Sequence, residues 1–476
     1  MTRLCERANR LSELVRRCLL AIVASEGLFL AMQILFYDVL NTDVFMAKAH
    51  ILSPVRTYVM MPWTGALLGI YLAREKKKIG LDTGLLVLLE LWLIVPFVMR
   101  FGTENATMNA AYGYAMSFFI LYASVRESDT ARRARQLDIA CAGFSLLSIV
   151  VGGMLLYCVA TGKTYCSYWD TIHFGMVNGQ LWHGRHYNVT AMLAQVCMMM
   201  SVVGVCRSKR IPAALLHLLG AIIMALAVVL TQSRTSRYAM LAVFALGTWN
   251  GMAEYLPIRC KWLRQGAAIV CAMFVLVGGY KLCGVITNVA LAHHAGQPTQ
   301  VLEVMLPSAI AEEGQEAEQA AQVEARDQKP DATFSDRTNI WKNVFKNWKN
   351  NPKHMLIGNG MSRSQFLNAK GTIHESVGAV GAHNAYLQFA SDFGWIGFGL
   401  MALFMLSVVP SAWRVFFAHG EKRVPGGCAL CMLVIAILAT GMMEDAPLEP
   451  MTTMNRVLFF ALAQIQGMGN DLKKAK

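Results

Sequence analysis

The run IPAALLHLLGAIIMALAVVL, residues 211–230, decides what kind of fold this chain adopts. Apart from His217 it has no ionisable side chain, and its length is the roughly 20 residues that an α-helix needs to cross a hydrocarbon core of about 30 Å. Runs of the same character recur along nearly the whole chain: 18–39, 57–73, 82–99, 106–124, 138–160, 188–206, 238–254, 266–286, 392–413, 426–443 and 453–468. With 211–230 they make about twelve spans of bilayer length. Of the 476 residues 55% are hydrophobic and 15% charged, well below the roughly 25% charge of soluble domains. The first run follows basic residues, as a signal peptide does. It is too long for one and lacks a small-residue cleavage site, so it reads as a retained span. The expected fold is therefore all-α and polytopic.

Basic residues set the orientation. Arg3, Arg7, Arg10, Arg16 and Arg17 precede the first span. Alternate loops carry Arg74, Lys76, Lys77 and Lys78; Arg126, Arg132, Arg133 and Arg135; Arg207, Lys209 and Arg210; Arg259, Lys261 and Arg264; and Arg414, Lys422 and Arg423. This alternation places both termini in the cytoplasm. The net charge of +13 then reports topology, and no nucleic-acid partner is expected. Most of the 12 cysteines lie in spans, where a thiol acts as a small apolar group, and the Cys428–Cys431 pair reads as core packing. Cys158 and Cys166 both approach the outer side, as a disulfide or as two thiols.

Three blocks result: nine helices in 1–286, a large outer loop with amphipathic helices in 287–391, and three helices with a cytoplasmic tail in 392–476. A polar connection as long as the middle block is uncommon unless it is functional or disordered. Within it, 303–331 is rich in Glu, Gln and Ala and reads as a solvated helix or flexible segment. Ser335-Asp336 then offers an N-cap, and Ile340, Trp341, Val344, Phe345 and Trp348 fall on one helical face among Lys342, Lys346 and Lys349. Such a helix suits either the membrane–water boundary or packing on the membrane domain.

Polar chemistry gathers on the expected outer side. His383-Asn384 precedes an amphipathic stretch with Tyr386, Phe389, Ala390 and Phe393 at helical spacing, before Gly394 and Gly397. At a helix N-terminus the dipole and free amide groups favour anions over cations, so a phosphate could sit near the histidine; the pair also reads as a plain cap. In the turn after residue 230, the charge rule does not account for Arg234 and Arg237. A guanidinium at a membrane boundary meets an anionic ligand or lipid phosphates. Arg337 is a third candidate. Arg185, between His183 and His186, belongs to a fourth polar cluster that lacks the carboxylate or cysteine a metal site wants. Glu444, Asp445 and Glu449 form the last, as partners of the arginines or as solvated loop residues.

Taken together, Ser233-Arg234, the Arg337-to-Trp341 segment, Asn359-Gly360 and His383-Asn384 with the glycines downstream resemble the O-antigen ligase family, across roughly 190–445. The resemblance implies a GT-C-like glycosyltransferase of about twelve transmembrane helices in the bacterial cytoplasmic membrane, with its active site on the outer side. Its donor would be a glycan on undecaprenyl diphosphate, its acceptor a glycan or glycolipid, and its surroundings membrane lipid. No cofactor or metal is implied, and the anomeric centre would invert. His383 would act as base, Arg234, Arg337 and Arg237 would hold diphosphate, and Asn384, Ser233 and Arg185 would support them. A polysaccharide polymerase has the same layout. A transporter of lipid-linked sugars is the rival of another class, but it would be expected to show repeated halves, and the two halves show no repeat.

Overall fold

The computed structural model of the chain describes residues 80–99, 122, 130–166, 173–177, 179–184, 187–295, 300–302, 332–350, 352–358, 382–444, 447–448 and 452–475. The expected spans 18–39 and 57–73 and nearly all of 106–124 lie outside these residues, as do Arg185, 303–331 and Asn359-Gly360.

The described chain is mostly helical. Its helices are α1 (Leu81–Met99), α2 (Thr130–Leu147), α3 (Gly153–Thr161), α4 (Tyr187–Arg207), α5 (Ile211–Leu230), α6 (Arg234–Tyr255), α7 (Lys261–Ala295), α8 (Ala332–Asn350), α9 (Pro352–Ile357), α10 (Ala385–Phe416), α11 (Gly427–Thr440) and α12 (Thr453–Lys474). Five of the described segments are long and apolar enough to cross a membrane: Arg133–Thr161, Thr190–Arg207, Ile211–Leu230, Lys261–His293 and Ala385–Phe416. The chain is an integral membrane protein by that measure. A one-turn π-helix, Ser148–Gly152, joins α2 to α3. Helix α7 runs past the expected span end at 286 to Ala295, and most of its apolar surface, Phe274 and Val270 included, is exposed, as suits a helix bathed in lipid.

A small sheet interrupts the helices. Strands β1 (Lys163–Cys166), β2 (His173–Val177) and β3 (Gln180–Gly184) form an antiparallel meander, and β4 (Gln300–Leu302) adds to β1 in parallel. The long connection after α7 is thereby tied to the loop between α3 and α4. Short strands escaped the sequence reading because three to five residues give too little periodicity. Cys158 is a free, buried thiol, so the disulfide with Cys166 does not form.

Helix α4 is the most enclosed span, with Val196, Cys197, Met198 and Met200 fully buried, and it packs along α5, with which it forms a hairpin. Apolar packing alone gives little selectivity in lipid, and polar contacts supply some. Ser145 Oγ lies 2.6 Å from His217 Nδ1 and donates to Ser201 Oγ at 3.0 Å, which binds α2, α4 and α5 together. Gly204 makes room for the His217 ring, since a Cβ there would lie 2.6 Å from it. The α4–α5 hairpin brings the start of α4, the end of α5 and the start of α6 to one end of the bundle. Thr440, at the end of α11, donates to Gln195 of α4, and Ala385 N at the start of α10 donates to Gly441 O, so these termini share that end. Ion pairs hold the opposite end: Arg133 with Asp471, Arg207 with Asp138 at 2.6 Å, and Glu254 with His419 and Arg423.

Candidate functional site

Three chain turns lie at the end where α4, α6 and α10 begin. Asn384 caps α10: its side-chain oxygen accepts from Tyr386 N and Leu387 N, both at 3.0 Å, and its amide donates to Met442 O at 3.0 Å. A cap of this kind contributes about 1 kcal/mol to a helix. His383, one residue earlier, is held in the left-handed region, with φ 48°. Such a backbone is uncommon for any residue other than Gly, although Asn, Asp and His adopt it more readily than most, and it is favoured where the surroundings impose it. Here they do. Ala382 N donates to Gln388 Oε1, and Ala382 O accepts from Trp341 Nε1 of α8, both at 2.9 Å. Gln388 is itself anchored on the buried Asp392 carboxylate through Nε2. His383 therefore sits on a fixed backbone with 39% of its side chain open to solvent.

Glu444 gathers the site. It lies in the turn after α11, with a side chain only 8% exposed. Its Oε1 accepts from Arg337 Nη2 at 3.1 Å and from Asn188 Nδ2, in the first turn of α4, at 2.8 Å. Its Oε2 lies 4.0 Å from His383 Nδ1. Its backbone carbonyl accepts from Ala385 N at 3.1 Å. One buried carboxylate thus faces an arginine from α8, an asparagine from α4 and the histidine before α10. A buried carboxylate without such partners is costly, so the cluster is mutually dependent. Helix α8 starts at Ala332, ahead of the Ser335-Asp336 cap suggested by sequence, which puts Arg337 in its second turn.

The turn after α5 carries the other arginines. Gln232 adopts φ 56°, and its side chain donates to Gly179 O in the β2–β3 turn at 2.6 Å. Ser233 is buried; it precedes α6, but its side chain makes no capping bond. Arg237 is built into the packing: Nη2 donates to Val229 O at 2.8 Å and to Thr287 Oγ1 at 3.4 Å, joining the end of α5 to α7. Its Nε is buried without a partner among the described residues. Arg234 is exposed. The two guanidiniums of one turn therefore differ, one tying helices and the other presented to solvent.

Gly394 breaks α10 with φ 69° and ψ 176°, ten residues after the cap. A Cβ at Gly394 would lie 2.1 Å from Leu356 O, and one at Gly358 would lie 2.3 Å from Asp392 O, so the end of α9 and the break of α10 meet backbone to backbone. Trp92 Nε1 donates to Phe393 O at 2.8 Å and satisfies a carbonyl at the break. At Gly397 a Cβ would meet Phe393 and the Trp92 ring. Among the described residues no group of three His, Cys, Asp or Glu side chains is arranged to hold a metal ion.

Of the residues singled out by sequence, the structure joins His383, Asn384 and Arg337 around Glu444 and Asn188, and it puts Arg234 at the same end of the bundle. The sequence marks Asn188 only by its place a few residues after the His183–His186 cluster, and Glu444 only as one of three acids. Nothing local marks either: Asn188 and Glu444 are 256 positions apart.

Residues 219–402 match the family model described as O-antigen ligase. The match begins within α5 and ends within α10, a narrower stretch than 190–445. It takes in the Ser233–Arg237 turn, Arg337 and His383, and it leaves out Asn188 and Glu444. No curated protein matches the chain.

Proposed function

We propose that this chain, which carries an O-antigen ligase domain at residues 219–402, is a membrane glycosyltransferase that moves a glycan from undecaprenyl diphosphate to an acceptor hydroxyl at the outer face of the cytoplasmic membrane. The fold would be GT-C-like with about twelve spans of bilayer length. The observation that carries the reading is the pairing of His383 with the buried Glu444 carboxylate on an imposed backbone, at the end of the bundle where Arg234 is also presented.

In this mechanism the acceptor hydroxyl approaches the exposed side of the His383 ring. Its oxygen bonds to the anomeric carbon while the bond from that carbon to the diphosphate oxygen breaks, which inverts the centre. The hydroxyl proton passes to His383 Nε2, a general-base step. Positive charge on the ring is then faced by Glu444 across Nδ1, in the role an orienting carboxylate plays beside a catalytic imidazole. The diphosphate leaves with its negative charge opposed by Arg234 and, from the other wall, Arg337. Arg337 differs from Arg234 in being already engaged with Glu444, so it is positioned before the donor arrives. Arg237 supports the turn that carries Arg234 more than it meets the donor, given its bonds to Val229 and Thr287. Asn384, by capping α10, and Ser233, at the start of α6, are supporting residues. Arg185, beyond the described residues, keeps the supporting place that the family resemblance implies. The chemistry needs no metal, because the two guanidiniums supply the charge.

The test is incubation of the reconstituted protein with a defined undecaprenyl-diphosphate glycan and candidate acceptors, with mass analysis of the products. Transfer to one terminal acceptor is expected of a ligase and chain growth of a polymerase. A His383→Ala protein that remains folded in the membrane should give neither. Its full activity would remove the base assignment. Uptake of the glycan without bond exchange would instead mark a transporter.

A further inference from the structure

Helix α8 has two faces of opposite character. Val344 and Trp348 are buried against Ala390 of α10, with Met355 and Leu387 beside them. The other face carries Lys342, Phe345, Lys346 and Lys349 at the i, i+3, i+4 and i+7 spacing of a single helical stripe, all exposed. Phe345 is 51% exposed, while Val344 and Trp348 of the same apolar stripe are buried. Its ring lies 5.3 Å from that of Trp348, and Trp348 lies 5.6 Å from Trp395. Trp395 and Ile396 are 43% and 41% exposed and stand just after the Gly394 break, where the apolar span of α10 begins.

We propose that this surface of Phe345, Trp395 and Ile396 flanked by Lys342, Lys346 and Lys349 is a docking site for the headgroups of anionic phospholipid. This goes beyond the glycan-transfer reading and does not rest on it. The argument is position and charge together. The aromatic and aliphatic side chains are exposed at the very level where α10 passes from polar to apolar sequence, the depth at which Trp side chains sit in bilayers. Three lysines line their polar side, with stems able to lie along apolar surface while the ammonium groups reach headgroup phosphates. The acid nearest to them on α10, Asp392, is buried and engaged by Gln388, so it does not neutralise the stripe.

The experiment uses the full-length protein in nanodiscs of phosphatidylcholine holding a small fraction of dansyl-labelled phosphatidylglycerol or, separately, dansyl-labelled phosphatidylcholine. Tryptophan-to-dansyl energy transfer is the readout and needs no glycan substrate. The anionic probe should give the stronger transfer, and about 0.5 M salt should weaken it because the charges are screened. Lys346→Glu with Lys349→Glu should cut the preference for the anionic probe by about 25-fold or more, since each of the two lysines near an anionic surface contributes about fivefold. Lys346→Gln with Lys349→Gln should cut it less, and it serves as the test should the double Glu protein fail to fold. Equal transfer from both probes in the unaltered protein, or a preference that survives both double substitutions, overturns the proposal. Loss of the preference on adding inorganic phosphate at constant ionic strength would indicate a small-anion site and overturn it as well.

Discussion

Glu444→Gln isolates what the buried carboxylate does. Gln keeps the volume and can still accept from Asn188 Nδ2, but it removes the negative charge that faces both His383 and Arg337. At 4.0 Å the attraction between Glu444 and a protonated His383 is about 4 kcal/mol at an effective dielectric of about 20. His383 is 39% exposed, and solvent screens part of that. A loss of about 2 kcal/mol in transition-state stabilisation is expected, or about thirtyfold in kcat. Arg337, with a side chain 19% exposed, loses its anion and keeps its charge, so a partial loss of stability is expected beside the loss of rate. The assay is the initial rate of glycan transfer in reconstituted vesicles at saturating donor and acceptor. Thermal stability in detergent, run in parallel, checks the fold. A double-substitution cycle with His383→Ala makes the test specific: if Glu444 acts through the imidazole, the two losses are not additive, with coupling of at least about 1 kcal/mol. A fully active Glu444→Gln protein, or strictly additive losses, would refute the reasoning.

The other expectations concern the arginines, the metal requirement and the helix break. Arg234→Lys should lose most transfer although it keeps the charge, because a lysine does not reproduce the planar two-pronged contact with phosphate oxygens; full activity would show that charge alone suffices. Arg237→Lys should instead lower thermal stability, as it weakens the link from α5 to Thr287 of α7, and a drop in rate without a drop in stability would place Arg237 on the donor. Treatment with EDTA should leave the rate unchanged, and loss restored by Mg²⁺ would contradict the mechanism. Gly394→Ala should cost about 1–3 kcal/mol or more of stability, because it forces a side chain into a positive-φ position and against Leu356 O; an unchanged melting temperature would show that α9 and α10 can separate freely there.

Each set of observations has its own reach. The apolar runs 138–160, 188–206, 211–230, 266–286 and 392–413 located the five described segments long and apolar enough to span, because bilayer thickness imposes a length that can be counted along the sequence. The runs at 82–99, 238–254, 426–443 and 453–468 also fall on helices, but these are not among those five, α11 being only 14 residues long. The break in α10 was legible in outline, as a short amphipathic piece leading into a span, since Gly394 stands at the junction. The sheet was not: its strands are too short, and its parallel β1–β4 pair joins residues from separate loops. The apolar stripe of α8 was legible, but which part of it packs was not: Val344 and Trp348 are buried and Phe345 is exposed, because periodicity marks a stripe but not its edges.

What the sequence by itself determined is a helical membrane protein with His383, Arg234 and Arg337 as its leading polar candidates. Those conclusions depend on hydrophobic length, on the distribution of lysine and arginine, and on local motifs, all of which are properties of neighbouring residues. Only the tertiary structure decided that Glu444 is the residue on which Asn188, Arg337 and His383 converge, and that Arg237 ties helices where Arg234 faces solvent. A carboxylate's role follows from what it faces. Here its partners come from two helices and the turn before a third, far apart in the chain, and the need to satisfy a buried charge brings them together.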